Sequence, residues 1–260
     1  MTSKDFGLLL QKSLGDRVYR SIRLLYKIVI IKCFYTVLGL FADKEKRYEV
    51  DNLLFQFPES PLSFYGRKFQ GYELSERTFV KKYLNPNSKV LELGGSAGIV
   101  SCVINKILIN PYAHIVLEPN PNVLPFIKAN KIENNCSFTV IQGIISATLK
   151  FCDFDVDENY LSSSNLKKTI KSQSIQIKCY SINDIQQQHS ITFDTLVMDI
   201  EGNEFEFLME FDLREINEII MEVHPKILGS ARMKEMYHRL DDLGFNKIDE
   251  LGVVEFWKKE

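Results

Sequence analysis

From Lys89 onward, short apolar runs alternate with longer amphipathic stretches. VLEL (90–93), HIVL (114–117), FTVI (138–141), IQIKCY (175–180), TLVM (195–198) and EIIMEV (218–223) have strand length and strand composition. The windows 97–109, 121–133 and 203–210 between them read as helices, with a further short helix after IQIKCY. Apolar strands that lack in/out alternation, separated by helices, predict a parallel sheet covered on both faces. The end of the chain differs. A helix over 229–243 stops at Gly244, and strands Phe245–Glu250 and Val253–Lys258 are joined by Leu251-Gly252. That connection is too short for a crossover helix, so these two strands are antiparallel. The predicted fold is α/β, a doubly wound, mostly parallel, seven-stranded Rossmann-like sheet ending in an antiparallel hairpin. Such an ending is unlike the two matched halves of a dinucleotide-binding dehydrogenase.

Upstream, Ser75 offers an N-cap for a helix from Glu76 to Leu84, stopped by Asn85-Pro86-Asn87. Residues 43–70 mix charges, aromatics, prolines and glycines and read as a connector with short strands. The Ser/Lys/Asn-rich stretch 157–174 reads as a mobile loop over one end of the sheet, either a lid or an inert insertion. The chain divides into an N-terminal helical extension, 1–47, and a main domain, 48–260.

The formal net charge is only −2, which argues against nucleic acid as a partner. The balance is uneven, with ten Lys/Arg against four Asp/Glu in residues 1–47. There the apolar stretch 18–41 is interrupted by Lys27 and Lys32, leaving an unbroken run of 9 residues. A bilayer span needs roughly 20. The stretch therefore reads as a helix packed on the domain or on a second copy of the chain. The alternative is a basic amphipathic helix making peripheral membrane contact through residues 17–47. Five widely spaced cysteines without a CxxC pair, and no secretory pattern in MTSKDFGLLLQKSLGDR, point to a cytoplasmic protein, at most peripheral at the inner membrane surface. No metal-ligand spacing is present among the histidines and cysteines.

Ligands of open α/β sheets bind beyond the carboxyl ends of the strands. The polar residues in those positions are Gly94-Gly95-Ser96 after VLEL, Glu118 after HIVL, Gln142-Gly143 after FTVI, Asp199 and Glu201 after TLVM, and Glu222 and His224 around the end of EIIMEV. In the first turn, Gly94 and Gly95 permit positive φ and close ligand approach, while Gly98 permits tight helix–strand contact. Ser96 stands where GxGxxG would require glycine. Glu118, about 20 residues on, can accept hydrogen bonds from both hydroxyls of a nucleoside ribose. It alternatively caps the next helix. If the strand stays extended through Glu201, the two-residue period puts the Asp199 and Glu201 carboxylates on one side. Repeated acidic groups on one rim call for a cation, and a sulfonium ligand supplies one.

Together these segments resemble the FkbM-type methyltransferases, a class I S-adenosylmethionine-dependent family. The resemblance runs from Gly71-Tyr72-Glu73 through VLELGGSAGIVS, Val116-Leu117-Glu118-Pro119-Asn120-Pro121, NNCSFTVIQGIIS, CYSINDI and MDIEGNEFEFL to IIMEVHP. MDIEGNE followed by EVHP is its most specific part. The chain departs from the family where an Asp-x-Gly-Ala-Asn turn is usual (here Glu92, Gly95 and Ser96) and where Val197 replaces a common lysine. The resemblance implies O-methylation of a sugar or related polyol or polyketide oxygen on a small-molecule or glycan acceptor. It implies that Glu73, Glu92, Gly94, Gly95, Ser96, Gly98, Glu118, Gln142, Gly143 and Asp199 form the cofactor site. His224 or Asp199 is then the base, with Glu201 and Glu222 orienting it or binding the acceptor. A divalent cation on Asp199, Glu201 and Glu222 is the alternative. Two other function classes are kept beside this one: a nicotinamide-dependent oxidoreductase, and a non-catalytic membrane-associated or scaffolding protein that retains the fold.

Overall fold

A computed structural model describes residues 47–57, 71–156 and 173–260. The extension expected over 1–47, with its candidate membrane-surface helix, lies outside the described residues except for Arg47. So do most of the 43–70 connector and nearly all of the 157–174 loop. Among the described residues no helix is long and apolar enough to cross a membrane.

The elements in chain order begin with a hairpin, β1 (Tyr48–Val50) and β2 (Leu53–Phe55), then α1 (Leu74–Tyr83), β3 (Val90–Leu93) and α2 (Ile99–Ile107). Next come β4 (His114–Leu117), α3 (Leu124–Glu133), β5 (Thr139–Ile141), β6 (Ile144–Ile145), β7 (Phe151–Val156) and β8 (Gln173–Tyr180). The chain continues through α4 (Ile182–His189), β9 (Thr195–Met198), α5 (Glu204–Glu210), β10 (Glu218–Glu222), α6 (Pro225–Asp242), β11 (Phe245–Leu251) and β12 (Val254–Lys259).

Seven strands form the main sheet in the order β11-β12-β10-β9-β3-β4-β5. β5, β4, β3, β9 and β10 run parallel, and β12 and β11 are antiparallel additions at one edge. The direction of winding reverses between β3 and β9, which opens the crevice beyond their carboxyl ends. Successive strand residues alternate between two buried layers. Leu91, Leu93, Leu117, Met198 and Met221 meet α4, α5 and α6 on one face. Val90, Val116, Val197 and Ile220 meet α1, α2 and α3 on the other. Both layers exclude water, so the strand sequences lack a polar phase.

The β1–β2 turn, Asp51-Asn52, has positive φ at both central residues, as a type I′ hairpin turn requires. Asn130 of α3 and Asn134, which caps its C-terminus, fasten the chain that follows. Asn134 Oδ1 accepts from Leu54 N at 2.9 Å and its Nδ2 donates to Leu54 O at 2.8 Å. Fully buried Asn130 does the same with Gln56 (2.7 and 2.9 Å), and its Nδ2 also donates to Ala97 O at 2.7 Å. Each carboxamide imitates a peptide group and supplies this short segment with the pairing a neighbouring strand would give.

Four expectations need correction. IQIKCY is not in the main sheet; β8 pairs with β6 and β7 in a separate three-stranded sheet. Its charged and amide side chains leave it half exposed, unlike the wholly buried strands. The helix expected from Glu76 with Ser75 as cap starts at Leu74, because Glu73 takes the left-handed conformation (φ 49°) and turns the chain there. The helix expected from 229 starts at Pro225, whose fixed φ suits a first turn, and is broken at Gly229 (φ 75°, ψ 164°). In the glycine turn, positive φ falls on Gly94 (89°), Ser96 (46°) and Gly98 (83°), not on Gly95.

Candidate active site

The first wall of the site is the turn after β3. A Cβ on Gly94 would collide with the carbonyl oxygen of Asp199, so glycine there is required by the approach of the β9 backbone as well as by φ. A Cβ on Gly95 would press on Val116 and Ile127, and one on Gly98 on Ile127 of α3. These two glycines seat α3 against the turn and do not line the cavity. Ser96 does line it. Its N–H points at Glu118 Oε2 (2.7 Å), and its hydroxyl lies 3.0 Å from the Tyr72 hydroxyl.

Glu118 is 5% exposed and accepts from Asn120 N (2.8 Å) through its other oxygen. Burial pushes its carboxyl up to about 7, against two backbone hydrogen bonds that favour the charged form. Each carboxylate oxygen keeps a second lone pair for a ribose hydroxyl. The cavity in front of it is about 300 Å³. Apolar side chains in its wall, among them Pro119, Ile144, Ile145, Phe154, Phe207 and Phe211, suit a purine. Glu73, Glu118, Asp199, Glu201, Glu206 and Glu210 also line it, and no described Lys, Arg or His does. A ligand that joins a nucleoside to positively charged groups fits such a wall.

At the β9–β10 end the carboxylates gather around His224. Its Nδ1 lies 3.0 Å from Glu204 Oε1. Its Nε2 lies 3.9 Å from Asp199 Oδ1 and 3.8 Å from both Glu201 Oε2 and Glu222 Oε1. β9 ends at Met198, and Glu201 takes φ 54°, so the extended strand expected through Glu201 is not there. The carboxylates of Asp199 and Glu201 come to one place because the chain turns, not because it stays straight. His224 is not part of the cavity wall; its side chain is 16% exposed, and its Nε2 lies beside Asp199 and Glu201, which are in the wall.

Burial, and after it crowded negative charge, governs ionisation here. Burial, then the adjacent Glu201 carboxylate, lifts Asp199 to about 7. Burial and a hydrogen bond shared with Glu76 lift Glu222 to about 9. Burial and the charges of Glu76 and Asp199 raise Glu73 well above the carboxylate range. Burial draws His224 down, but Glu204 and the surrounding carboxylates outweigh it and leave the imidazole at about 9. Every one of these shifts would be relieved by a cation. Two overlapping trios, Asp199–Glu201–His224 and Glu76–Asp199–Glu222, have ligand atoms within 4.8 Å of one another. Neither is the Asp199–Glu201–Glu222 set expected for the divalent-cation alternative; each shares two of its members.

The crevice thus gathers Glu73, Gly94, Ser96, Glu118, Gly143, Asp199 and Glu201, with Glu222 and His224 beside them. Gln142 stands apart, and Glu92 lines not this cavity but a smaller neighbouring one, with Glu73, Glu76, Asp199 and Glu222. Glu92 points to the α2 face, where Ser101 Oγ donates to Oε1 (2.8 Å) and His114 Nε2 lies 2.8 Å from Oε2. Gln142 is exposed and outside the cavity wall. Three participants were not anticipated. Tyr72 is positioned by its contact with Ser96, Glu76 is buried beside Glu222, and Glu204 reads in sequence as an ordinary acid at a helix start. Glu76 lies three residues after Glu73, a helical spacing that could have pointed to a shared face.

The Methyltransferase FkbM domain family matches residues 92–247. No curated protein matches. Among solved structures, the chain is similar to a protein from Streptococcus mutans described as a SAM-dependent methyltransferase. The identity is 9% and the TM-score 0.52, over 84% of this chain and 56% of that one. It is also similar to a transferase from Pyrococcus horikoshii (13%, TM-score 0.49, 99% of this chain and 98% of that one). A third is TYW2 of M. jannaschii in complex with AdoMet (13%, TM-score 0.44, 83% and 84%). The family match spans more than half of the chain, from β3 into β11, and includes Glu118, Asp199, Glu201, Glu222 and His224 but not Glu73. The chain belongs to the FkbM methyltransferase family, and its methyl donor is S-adenosylmethionine.

Proposed function

We propose that the protein methylates a hydroxyl oxygen of a sugar or similar small polyol. The observation that carries this reading is His224, held by Glu204 on one nitrogen and open on the other, beside the carboxylates of Asp199 and Glu201. The donor brings an activated methyl group on a sulfonium. What the protein must add is alignment, which can supply about 7–11 kcal/mol, and a group to take the hydroxyl proton, which adds roughly 10²–10⁴-fold. His224 Nε2 is that group once the ring, which its carboxylates hold at about 9, is neutral. Asp199 and Glu201 accept hydrogen bonds from acceptor hydroxyls and hold the reacting oxygen in line. The acidic wall, without a described cationic side chain, favours hydroxyl-rich acceptors and repels an anionic group placed next to the reacting oxygen.

The test is incubation with methyl-labelled S-adenosylmethionine and a panel of oligosaccharides and nucleotide-sugars, with label located by mass spectrometry. Label on a hydroxyl oxygen is expected; label carried only to nitrogen or carbon acceptors overturns the reading. His224→Ala should abolish turnover while leaving S-adenosylhomocysteine affinity within a few-fold. Normal turnover in that variant would remove His224 from the role.

A further inference from the structure

We propose that Glu204 positions His224: its buried carboxylate fixes the hydrogen on Nδ1, so that the neutral ring carries its lone pair on Nε2. This rests on the reading of His224 as the group that takes the hydroxyl proton.

Glu204 is 0% exposed, and its Oε1 lies 3.0 Å from His224 Nδ1 and accepts from Gly202 N at 3.0 Å. An ionised carboxylate only accepts, so the hydrogen between it and the ring belongs to Nδ1. Gly202, at φ 103°, turns the chain so that its N–H points back at the carboxylate and holds it in place. Among the described residues Glu204 has His224 as its one ion-pair partner, and its second oxygen, Oε2, has no hydrogen-bond partner.

A purely local role explains this poorly. An acid in the first turn of a helix is favoured by the helix dipole, but it gains that from an exposed position. Burying a carboxylate without Arg or Lys is costly. The contact Glu204 makes reaches from the start of α5 to a residue 20 positions further on, at the end of β10. It joins the two strand ends that carry the acidic rim.

The chemistry depends on which nitrogen is protonated. The groups that face Nε2 are Asp199 and Glu201 from the segment after β9 and Glu222 from β10. All three lie 3.8–3.9 Å away, beyond hydrogen-bond distance, so none of them occupies Nε2. As the acceptor oxygen bonds to the methyl carbon, the S–C electron pair stays on sulfur as a neutral thioether. The O–H proton passes to Nε2, and the resulting imidazolium is held by Glu204. The proton later leaves to water, restoring the ring. With the hydrogen on Nε2 instead, the ring could not accept, as happens when the orienting acid of a Ser-His-Asp triad becomes an amide.

The test compares wild type, E204Q, E204D and H224A. In ¹⁵N spectra of the full chain with S-adenosylhomocysteine bound, wild-type His224, assigned by its loss in H224A, should show the Nδ1–H form when neutral. E204Q, whose amide can donate to Nδ1, should shift it to Nε2–H. Turnover with the acceptor found above should fall on the order of 10²–10⁴-fold in E204Q, with acceptor KM and S-adenosylhomocysteine affinity within about twofold. E204D should recover at least part of that loss. An unchanged ring form in E204Q, or full turnover with H224A inactive, overturns the role of Glu204 and leaves that of His224 standing. Full turnover in H224A overturns the reading beneath it.

Discussion

Replacing Gly94 by alanine tests whether the close approach of two strand ends builds the cofactor site. The residue has φ 89°, and an added Cβ would meet the Asp199 carbonyl oxygen, a backbone atom that cannot rotate away. An L-residue in the left-handed region costs roughly 1–2 kcal/mol, and overpacking a filled contact adds roughly 1–3. The expected loss is therefore about 2–5 kcal/mol. Gly244 is the control, because it has nearly the same φ (84°) but nothing within 4 Å of an added Cβ. Gly244→Ala should show the conformational cost alone, about 1–2 kcal/mol. In a chain of this length each kcal/mol moves Tm by roughly 2–4 °C, so at about 3 kcal/mol Gly94→Ala should lower it by roughly 6–12 °C. The same change displaces the turn whose Ser96 N–H donates to Glu118. S-adenosylhomocysteine affinity, by isothermal titration calorimetry, should fall at least about tenfold, or 1.4 kcal/mol, in Gly94→Ala and stay unchanged in Gly244→Ala. Equal Tm shifts and equal affinities in the two variants would refute the reasoning.

Other outcomes follow from single contacts. Glu118→Gln keeps one acceptor oxygen where two backbone N–H groups need acceptors; S-adenosylhomocysteine should bind roughly 10–100-fold more weakly by calorimetry. Asn130→Ala strands Gln56 N, Gln56 O and Ala97 O, and thermal unfolding should report a loss of about 2–4 kcal/mol. Stability should also depend on pH with a definite sign. Glu118, Asp199, Glu222 and His224 all have folded values raised above their ordinary ones, to about 7, 7, 9 and 9. Each contributes stability that is present below its unfolded value and lost as pH rises through its folded value. The ligand-free protein should therefore lose Tm from about pH 5 to 9. S-adenosylmethionine should restore more of it at pH 9 than at pH 5, and more than the uncharged thioether S-adenosylhomocysteine does. A Tm that rises with pH over that window contradicts the account.

The main sheet was legible because VLEL, HIVL and TLVM are buried on both sides, which leaves no polar phase and only one architecture to satisfy. β8 misled the reading although its sequence carried the clue. Gln176 and Lys178 alternate with Ile177 and Cys179, the mark of a strand with one face in water. The acidic rim could be placed from strand ends alone, since Glu118, Asp199 and His224 each follow an apolar run. Which carboxylates turn toward the crevice could not. Glu92 sits one residue before Leu93 in the pleat, and that single step sends it to His114 on the other face. Nor could sequence separate Glu204 from an ordinary first-turn acid, because its partner lies 20 residues away across two elements.

Asn130 has a consequence for how the domain opens. One side chain holds both the segment that follows the first hairpin, at Gln56, and the carbonyl of Ala97, in the cofactor turn. Ile127, one helical turn earlier, fills the space that Gly95 and Gly98 leave empty. The amides of residues 53–57 and of the turn at 95–98 therefore cannot come free of α3 separately. In native-state hydrogen exchange they should release as one cooperative unit, and a ligand that rests on the turn should slow exchange in a hairpin it never touches.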